Sequence, residues 1–324
     1  MAGDRPLLGI MLMLGFCMLA PVGDAIAKIL GQTVPVGQLV VVRFAVQALV
    51  LIPLVWMTGR MWRMRGRVLM LTLVRTILHI AGIGTMVTAL KYLPLADAIA
   101  IAFVMPFIML LLGKYALNEE VGPRRLIACL VGFIGTLLIV QPSFQAVGWP
   151  ALLPLAVAVN FAFFMLVTRQ IARETDPIGL QAVSGVMAVI IMVPALFCFR
   201  DSTIWDLQWV RGTQHDWTLL LGIGLLGTGA HLLMTWSLRY APSATLAPMQ
   251  YLEIPFATVI GFLVFSDLPN PLAAVGIAIT MAAGLYVVLR ERATAKALMV
   301  RATTTTQPLT SAAPRSEPSR PVEP

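Results

Sequence analysis

Three titratable side chains stand in the middle of long apolar runs: Glu253, His79 and His231. Ionisable groups in such runs are costly and usually face a bundle interior or a wet cavity, so each is a candidate for work rather than scaffold. Glu253 falls about ten residues into its run, ~15 Å deep at 1.5 Å per residue. Its carboxyl can carry a coupling proton or, in the blander reading, bond to a neighbouring helix. Histidine titrates near physiological pH and both donates and accepts hydrogen bonds, which suits proton coupling or solute binding as well as plain helix packing. Asp24 and Lys28 are four residues apart on one helical face, and Arg43 enters the next run from the same side. An Asp24 to Arg43 pair would form either a gate that breaks on opening or a permanent staple, with Lys28 free to snorkel to the interface. Arg75 lies about two turns into its run, where snorkelling again serves. Asn160, Tyr251 and Trp236 add polar and aromatic surface at or near the same depth, Trp236 being closest to an interface. Asp97, at the start of a run, reads as a solvated helix-start carboxylate.

These residues need a framework, and composition restricts it. With 59% hydrophobic residues, 12% charged residues and a mean hydropathy of +0.87 over 324 residues, too few polar side chains exist to cover a soluble protein. The net charge of +8 sits between apolar runs, without the interleaved aromatics of a basic patch, so nucleic acid is excluded as a partner and the lipid bilayer is implied. Cys17, Cys129 and Cys198 all fall in apolar runs and form neither metal-ligand spacing nor a disulfide framework. The stretch after Arg5 resembles a signal peptide but opens a series of similar stretches, and is expected to stay as the first span.

A span needs ~20 apolar residues to cross ~30 Å of hydrocarbon. Ten runs qualify, at 8–27, 36–57, 67–89, 95–115, 123–141, 148–168, 179–199, 217–238, 243–265 and 272–290. Arg60, Arg63, Arg65, Arg67, Lys114, Arg124, Arg125, Arg169, Arg173 and Arg239 share one side with both termini, against Lys28, Lys91, Arg200 and Arg211 on the other, which predicts cytoplasmic termini. The stretch ALKYLPLADAIAIAFVMPF at 89–107 recurs as SLRYAPSATLAPMQYLEIPF at 237–256: Leu90, Tyr92, Pro94 and Ala96 match Leu238, Tyr240, Pro242 and Ala244 at an offset of 148. Two related halves of five spans each follow, 8–142 and 143–290, after a cytoplasmic segment 1–7. An odd number of spans per half gives opposite orientations, so the fold class is an all-α integral membrane protein of ten helices in two inverted five-helix repeats. Gly82, Gly84, Gly222, Gly224, Gly227 and Gly229 permit close helix approach, and Pro106, Pro248 and Pro255 are expected to kink their spans. Residues 291–324, rich in Thr, Ser and Pro, read as a disordered cytoplasmic tail.

The Asp-x-x-x-Lys at Asp24 and Lys28, Arg43, the two repeated turns and the prolines of spans four and nine resemble the EamA-type permeases of the drug/metabolite transporter superfamily, over about residues 8 to 290. The resemblance implies an inner-membrane carrier with a central cavity between its halves, taking a small organic solute by alternating access. Members of that family import riboflavin or S-adenosylmethionine, or export amino acids or drugs. The lean here is to uptake of a metabolite such as riboflavin, with protons as a coupling partner, no cofactor and no metal, and a homodimer left open. No GxxxxGK[ST] loop offers ATP coupling, and no HExxH or GxSxG supports an intramembrane enzyme.

Overall fold

The computed structural model describes residues 6–60, 62–105, 107, 108, 111, 112, 123–171, 174–199, 203–240, 250–286 and 289. Among them every regular element is helical: α1 (Pro6–Leu30), α2 (Val36–Thr58), α3 (Gly66–Leu90), α4 (Leu95–Ala102), α5 (Pro123–Val147), α6 (Leu153–Ile171), α7 (Pro177–Cys198), α8 (Gln214–Tyr240), α9 (Glu253–Phe265) and α10 (Pro271–Tyr286). Each apolar run thus carries one helix. The runs before α9 and after α4, the tail, Pro106 and Pro248 lie wholly or partly outside the described residues.

Helices arise because a backbone in hydrocarbon must satisfy its own hydrogen bonds. Seven of the helices are long and apolar enough to span, with mean hydropathies from 1.5 to 2.3 over their best windows. Their ends are set locally. Gly59 stops α2 in the left-handed region at φ 61, its N–H returning to the last turn. Asp176 caps α7 by accepting from the backbone N–H groups of Ile178 and Gly179 at 3.1 Å, with Pro177 in the first helical position.

Runs four and nine are not continuous helices. A turn at Phe103 and Val104 ends α4, and a turn at Tyr251 and Leu252 precedes α9. These breaks fall at the repeat offset of 148, and the Phe103 and Tyr251 rings meet with centroids 5.4 Å apart. Pro255 therefore stands in the first turn of α9, where its missing N–H costs no bond, and it starts a helix instead of kinking one.

Packing follows the same correspondence. Helix α1 lies on α8 as α6 lies on α3, α1 touches α9 as α6 touches α4, and α2 touches α8 as α7 touches α3; α2 pairs with α7, and α4 with α9. A central apolar core gathers Leu30, Leu39, Phe44, Leu90, Ile99, Ile139, Leu220 and Ile254 from both halves of the chain. At the α5–α10 contact two glycine backbones touch: a Cβ on Gly276 would stand 2.5 Å from the Gly135 carbonyl oxygen. Gly276→Ala is expected to force these helices apart and destabilise the protein by about 1–3 kcal/mol, as overpacking does. Thermal unfolding in detergent checks this; an unchanged Tm would mean that the contact yields freely.

Candidate functional site

A cavity of about 180 Å³ lies among α1, α3, α4, α6 and α8, reaching α2 and the start of α9. Asp24 lines it from α1, Arg43 from α2, His79 from α3, Asn160 from α6, His231 from α8 and Glu253 from the first turn of α9. These six were widely separated in sequence, and the fold brings them together. Apart from Gln250, the rest of the wall is apolar and aromatic, including Phe16, Phe103 and Phe161. This mixture of an apolar wall and a few polar groups suits a small organic ligand.

The two histidines fix each other. His231 Nδ1 lies 2.9 Å from the Gly227 carbonyl oxygen, which can only accept, so that nitrogen carries the proton. Its Nε2 is then the acceptor in neutral imidazole, and His79 Nε2, 3.2 Å away, donates to it. His79 Nδ1 is left as a bare, buried acceptor with no hydrogen-bond partner among the described residues. A further proton entering at His79 Nδ1 preserves the bond between the rings, whereas one entering at His231 Nε2 sets donor against donor. Phe44 and Phe164 flank the His79 ring at centroid distances of 5.1 and 4.9 Å and hold it in place.

Arg43 and Asp24 do not close into the direct pair expected from sequence. The described residues form ion pairs elsewhere, and these two groups face the same cavity and interact through space. The reason is that Arg43 lies against Gly227, where a Cβ would stand 2.8 Å from its guanidinium carbon; the α2–α8 contact seats the head group. Asn160 is held differently. Its Nδ2 donates to the Leu78 carbonyl oxygen at 2.8 Å, in space left by Gly82, whose Cβ would fall 2.5 Å from that nitrogen.

Other candidates sit elsewhere. Arg75 does not snorkel: it is 1% exposed, donates to Thr168 Oγ1 at 3.0 Å and Ser184 Oγ at 2.9 Å, and lies 4.6 Å from the Phe164 ring centroid. Its depth is offset by hydroxyls on α6 and α7, which single-helix reading cannot locate. Trp236 packs beside Leu51, Val55, Ile178 and Leu232, away from the cavity, because its face of α8 meets α2 and α7. Tyr251 is buried against Gly284, at which even a Cβ would collide with its ring, so the turn before α9 points it at α10 instead of the cavity. Asp97 is buried at 4% exposure and accepts from Ser143 Oγ at 3.3 Å, contrary to the solvated reading. The cavity wall also includes Gln250, which sequence reasoning passed over; a second polar side chain three residues before Glu253 was the available signal.

Beyond the cavity, bonds link the first half of the chain to the second. Lys28 does not snorkel but pairs with Asp267 at 2.8 Å, and Lys91 with Asp206 at 2.5 Å. Thr33 Oγ1 donates to Asp216 Oδ1 at 2.9 Å, and Gln38 exchanges two bonds with the Val210 backbone at 3.0 and 3.1 Å. At the opposite helix ends Arg60 meets Asp176 at 2.8 Å and Arg67 meets Glu174 at 3.3 Å.

Comparison with known proteins agrees with this architecture. Residues 7–141 and 148–290 each match the family described as EamA-like transporter family. A riboflavin transporter of Brucella anthropi is 26% identical over 232 residues, covering 70% of this chain and 78% of that protein. An S-adenosylmethionine uptake transporter of Rickettsia bellii is 22% identical, covering 83% and 89%. The Pseudopaline exporter CntI of Pseudomonas aeruginosa is 25% identical, covering 82% and 88%. A solved crystal structure with 18% identity covers 89% of this chain and 99% of its own, with a TM-score of 0.59, and shares the fold.

Proposed function

Because this chain belongs to the EamA-like transporter family, and is a transporter rather than an enzyme, we propose that it is an inner-membrane carrier that moves a small organic metabolite by alternating access, inward and with a coupling proton. Its termini are cytoplasmic in this reading, by the distribution of Lys and Arg. The observation that carries the reading is the convergence of Asp24, Arg43, His79, Asn160, His231 and Glu253 on one cavity between residues 8–142 and 143–290. The matched packing partners and the paired breaks in runs four and nine support inverted repeats whose crossing is the moving part. Arg43 supplies a cation for an acidic or electron-rich part of the solute, Glu253 and the histidines exchange protons, and the phenylalanines bind flat apolar surface. Riboflavin is the first compound to try, given the uptake proteins among the relatives.

Export is the second reading, favoured by the likeness to CntI over 82% of this chain. Uptake and efflux of a labelled metabolite panel, with riboflavin, S-adenosylmethionine and amino acids, separates the two in cells with and without the chain. Saturable uptake that rises at acidic external pH supports the proton-coupled importer; faster efflux without uptake makes the chain an exporter.

Alternating access also sets an expectation for the Lys28–Asp267 and Lys91–Asp206 pairs, which would close the external face. Pairs this exposed contribute about 0.5 kcal/mol each, so losing both removes about 1 kcal/mol and shifts the balance of states by about fivefold. Gly23 lines the cavity with open space at its Cβ position, which makes Gly23→Cys a reporter. In a background lacking the native cysteines, Asp206→Asn with Asp267→Asn is expected to raise labelling of that cysteine by an impermeant external maleimide about fivefold. Equal labelling would mean that these pairs do not gate.

A further inference from the structure

A second hollow, of about 570 Å³, opens on the flank of the α2–α7 contact, well away from the cavity described above. Its walls are apolar: Ile52 and Val55 from α2, and Ala182, Val183, Val186 and Met187 from α7. The link between α2 and α3 roofs one end with Trp62, Arg63, Met64 and Arg65, and Trp56, 80% exposed, stands beside it.

The charges at this mouth are unequal in their commitments. Arg60 is held by Asp176 and Arg67 by Glu174. Arg63 and Arg65 are exposed and meet no carboxylate among the described residues; Arg63 rests 5.7 Å from the Trp62 ring centroid. Two free guanidinium groups therefore stand over an apolar trough at the end of a membrane-spanning helix, flanked by tryptophans of the kind that settle at headgroup level. An occupant must place an anion at the arginines and a hydrocarbon chain along Val55, Val183 and Val186. Neither a free anion nor a neutral alkane does both.

We propose that this groove binds an anionic phospholipid, its phosphate between Arg63 and Arg65 and one acyl chain lying along the seam of α2 and α7. Arginine suits the task because its planar fork holds two phosphate oxygens at once. The seam is the one where Gln47 Nε2 donates to the Gln181 carbonyl oxygen at 2.8 Å and where Gly185 lets α7 approach the backbone of Ala48. A lipid wedged beside it touches helices from both halves of the chain. Its binding does not depend on which solute the carrier takes.

Native mass spectrometry of the full-length protein in detergent, titrated with phosphatidylglycerol or phosphatidylcholine of matched chains, tests this. Phosphatidylglycerol is expected to bind at least about tenfold more tightly. Arg63→Gln with Arg65→Gln should weaken it about 30-fold, the effect of two cations at an anionic headgroup, while Arg63→Lys with Arg65→Lys keeps most of the binding and Arg67→Gln leaves it unchanged. Val186→Trp, which fills the trough and spares the arginines, should also displace the lipid, so the outcome does not hang on one variant's folding. Equal binding of the two lipids, or full retention in both the glutamine and the tryptophan variants, would overturn the assignment. Displacement of the lipid by glycerol 3-phosphate at similar concentration would reduce the site to one for free anions and overturn it as well.

Discussion

Glu253→Gln is expected to abolish uphill accumulation of the solute while leaving exchange of solute for solute in place. The substitution keeps the size and hydrogen-bonding oxygen of the side chain and removes only its capacity to hold and release a proton. Glu253 occupies the first turn of α9, immediately after the turn at Tyr251 and Leu252, and faces the cavity without a hydrogen-bond partner among the described residues. The Asp24 carboxyl on α1 faces the same cavity, so the readiness of Glu253 to take or give a proton depends on the spacing of α9 and α1, which is what a coupling site requires. With one proton per solute, a gradient of one pH unit supports about tenfold accumulation. In proteoliposomes with that gradient, acid outside, the wild type should approach this ratio and the glutamine variant should stop near equality. Glu253→Asp should recover part of it. Unchanged accumulation in Glu253→Gln would remove the residue from coupling and pass the role to the histidine pair, where His79 Nδ1 is the open base.

Much of the fold could be read from the chain because hydrocarbon permits so few solutions. Ten apolar runs had to be helices, and the basic-Tyr-x-Pro turn announced its own copy. What could not be read was what each polar residue meets. Helical phase places Arg75 inside the bilayer, but only the docking of α3 against α6 and α7 supplies Thr168 and Ser184. The same phase left Asp97 at a surface, although Ser143 of α5 covers it. Tyr251 shows a second limit: a break in the helix at Tyr251 and Leu252 resets the face presented by the residues around it, and no periodicity announces the break. Pro255 marks irregularity there, but a proline within an apolar run is equally consistent with a kink in a continuous span, and only the structure places it in the first turn of a new helix. The six cavity residues were legible as exceptions, being polar where lipid would reject them; their convergence belongs to packing of α1 on α8 and α3 on α6, which couples the two halves of the chain.

The two arginines inside the bundle, Arg75 and Arg43, should respond to glutamine in opposite ways, and the contrast separates transport from scaffold. Arg75 spends its guanidinium on protein: two hydroxyls and the face of Phe164 surround it. Hydrogen bonds to charged groups contribute about 1.5–3 kcal/mol each, so Arg75→Gln should lower the Tm clearly while uptake per folded molecule stays within a few-fold of wild type. Arg43 makes no hydrogen bond to the described residues; it lies on Gly227 and opens to the cavity, opposed at a distance by Asp24. Keeping a cation there without a close partner costs stability, which is the expectation for a group that serves a visiting solute. Arg43→Gln, combined with Asp24→Asn to keep the charge balanced, should leave the Tm unchanged or raised and cut uptake by about 100-fold, the order of effect seen when one partner of a desolvated charge pair is removed. Fluorescence-monitored unfolding and uptake on the same preparations decide between the roles. A fall in Tm in the Arg43 variant equal to that in the Arg75 variant would make Arg43 a staple between α2 and α8, and the search for the solute's anchor would move to Glu253 and the histidine pair.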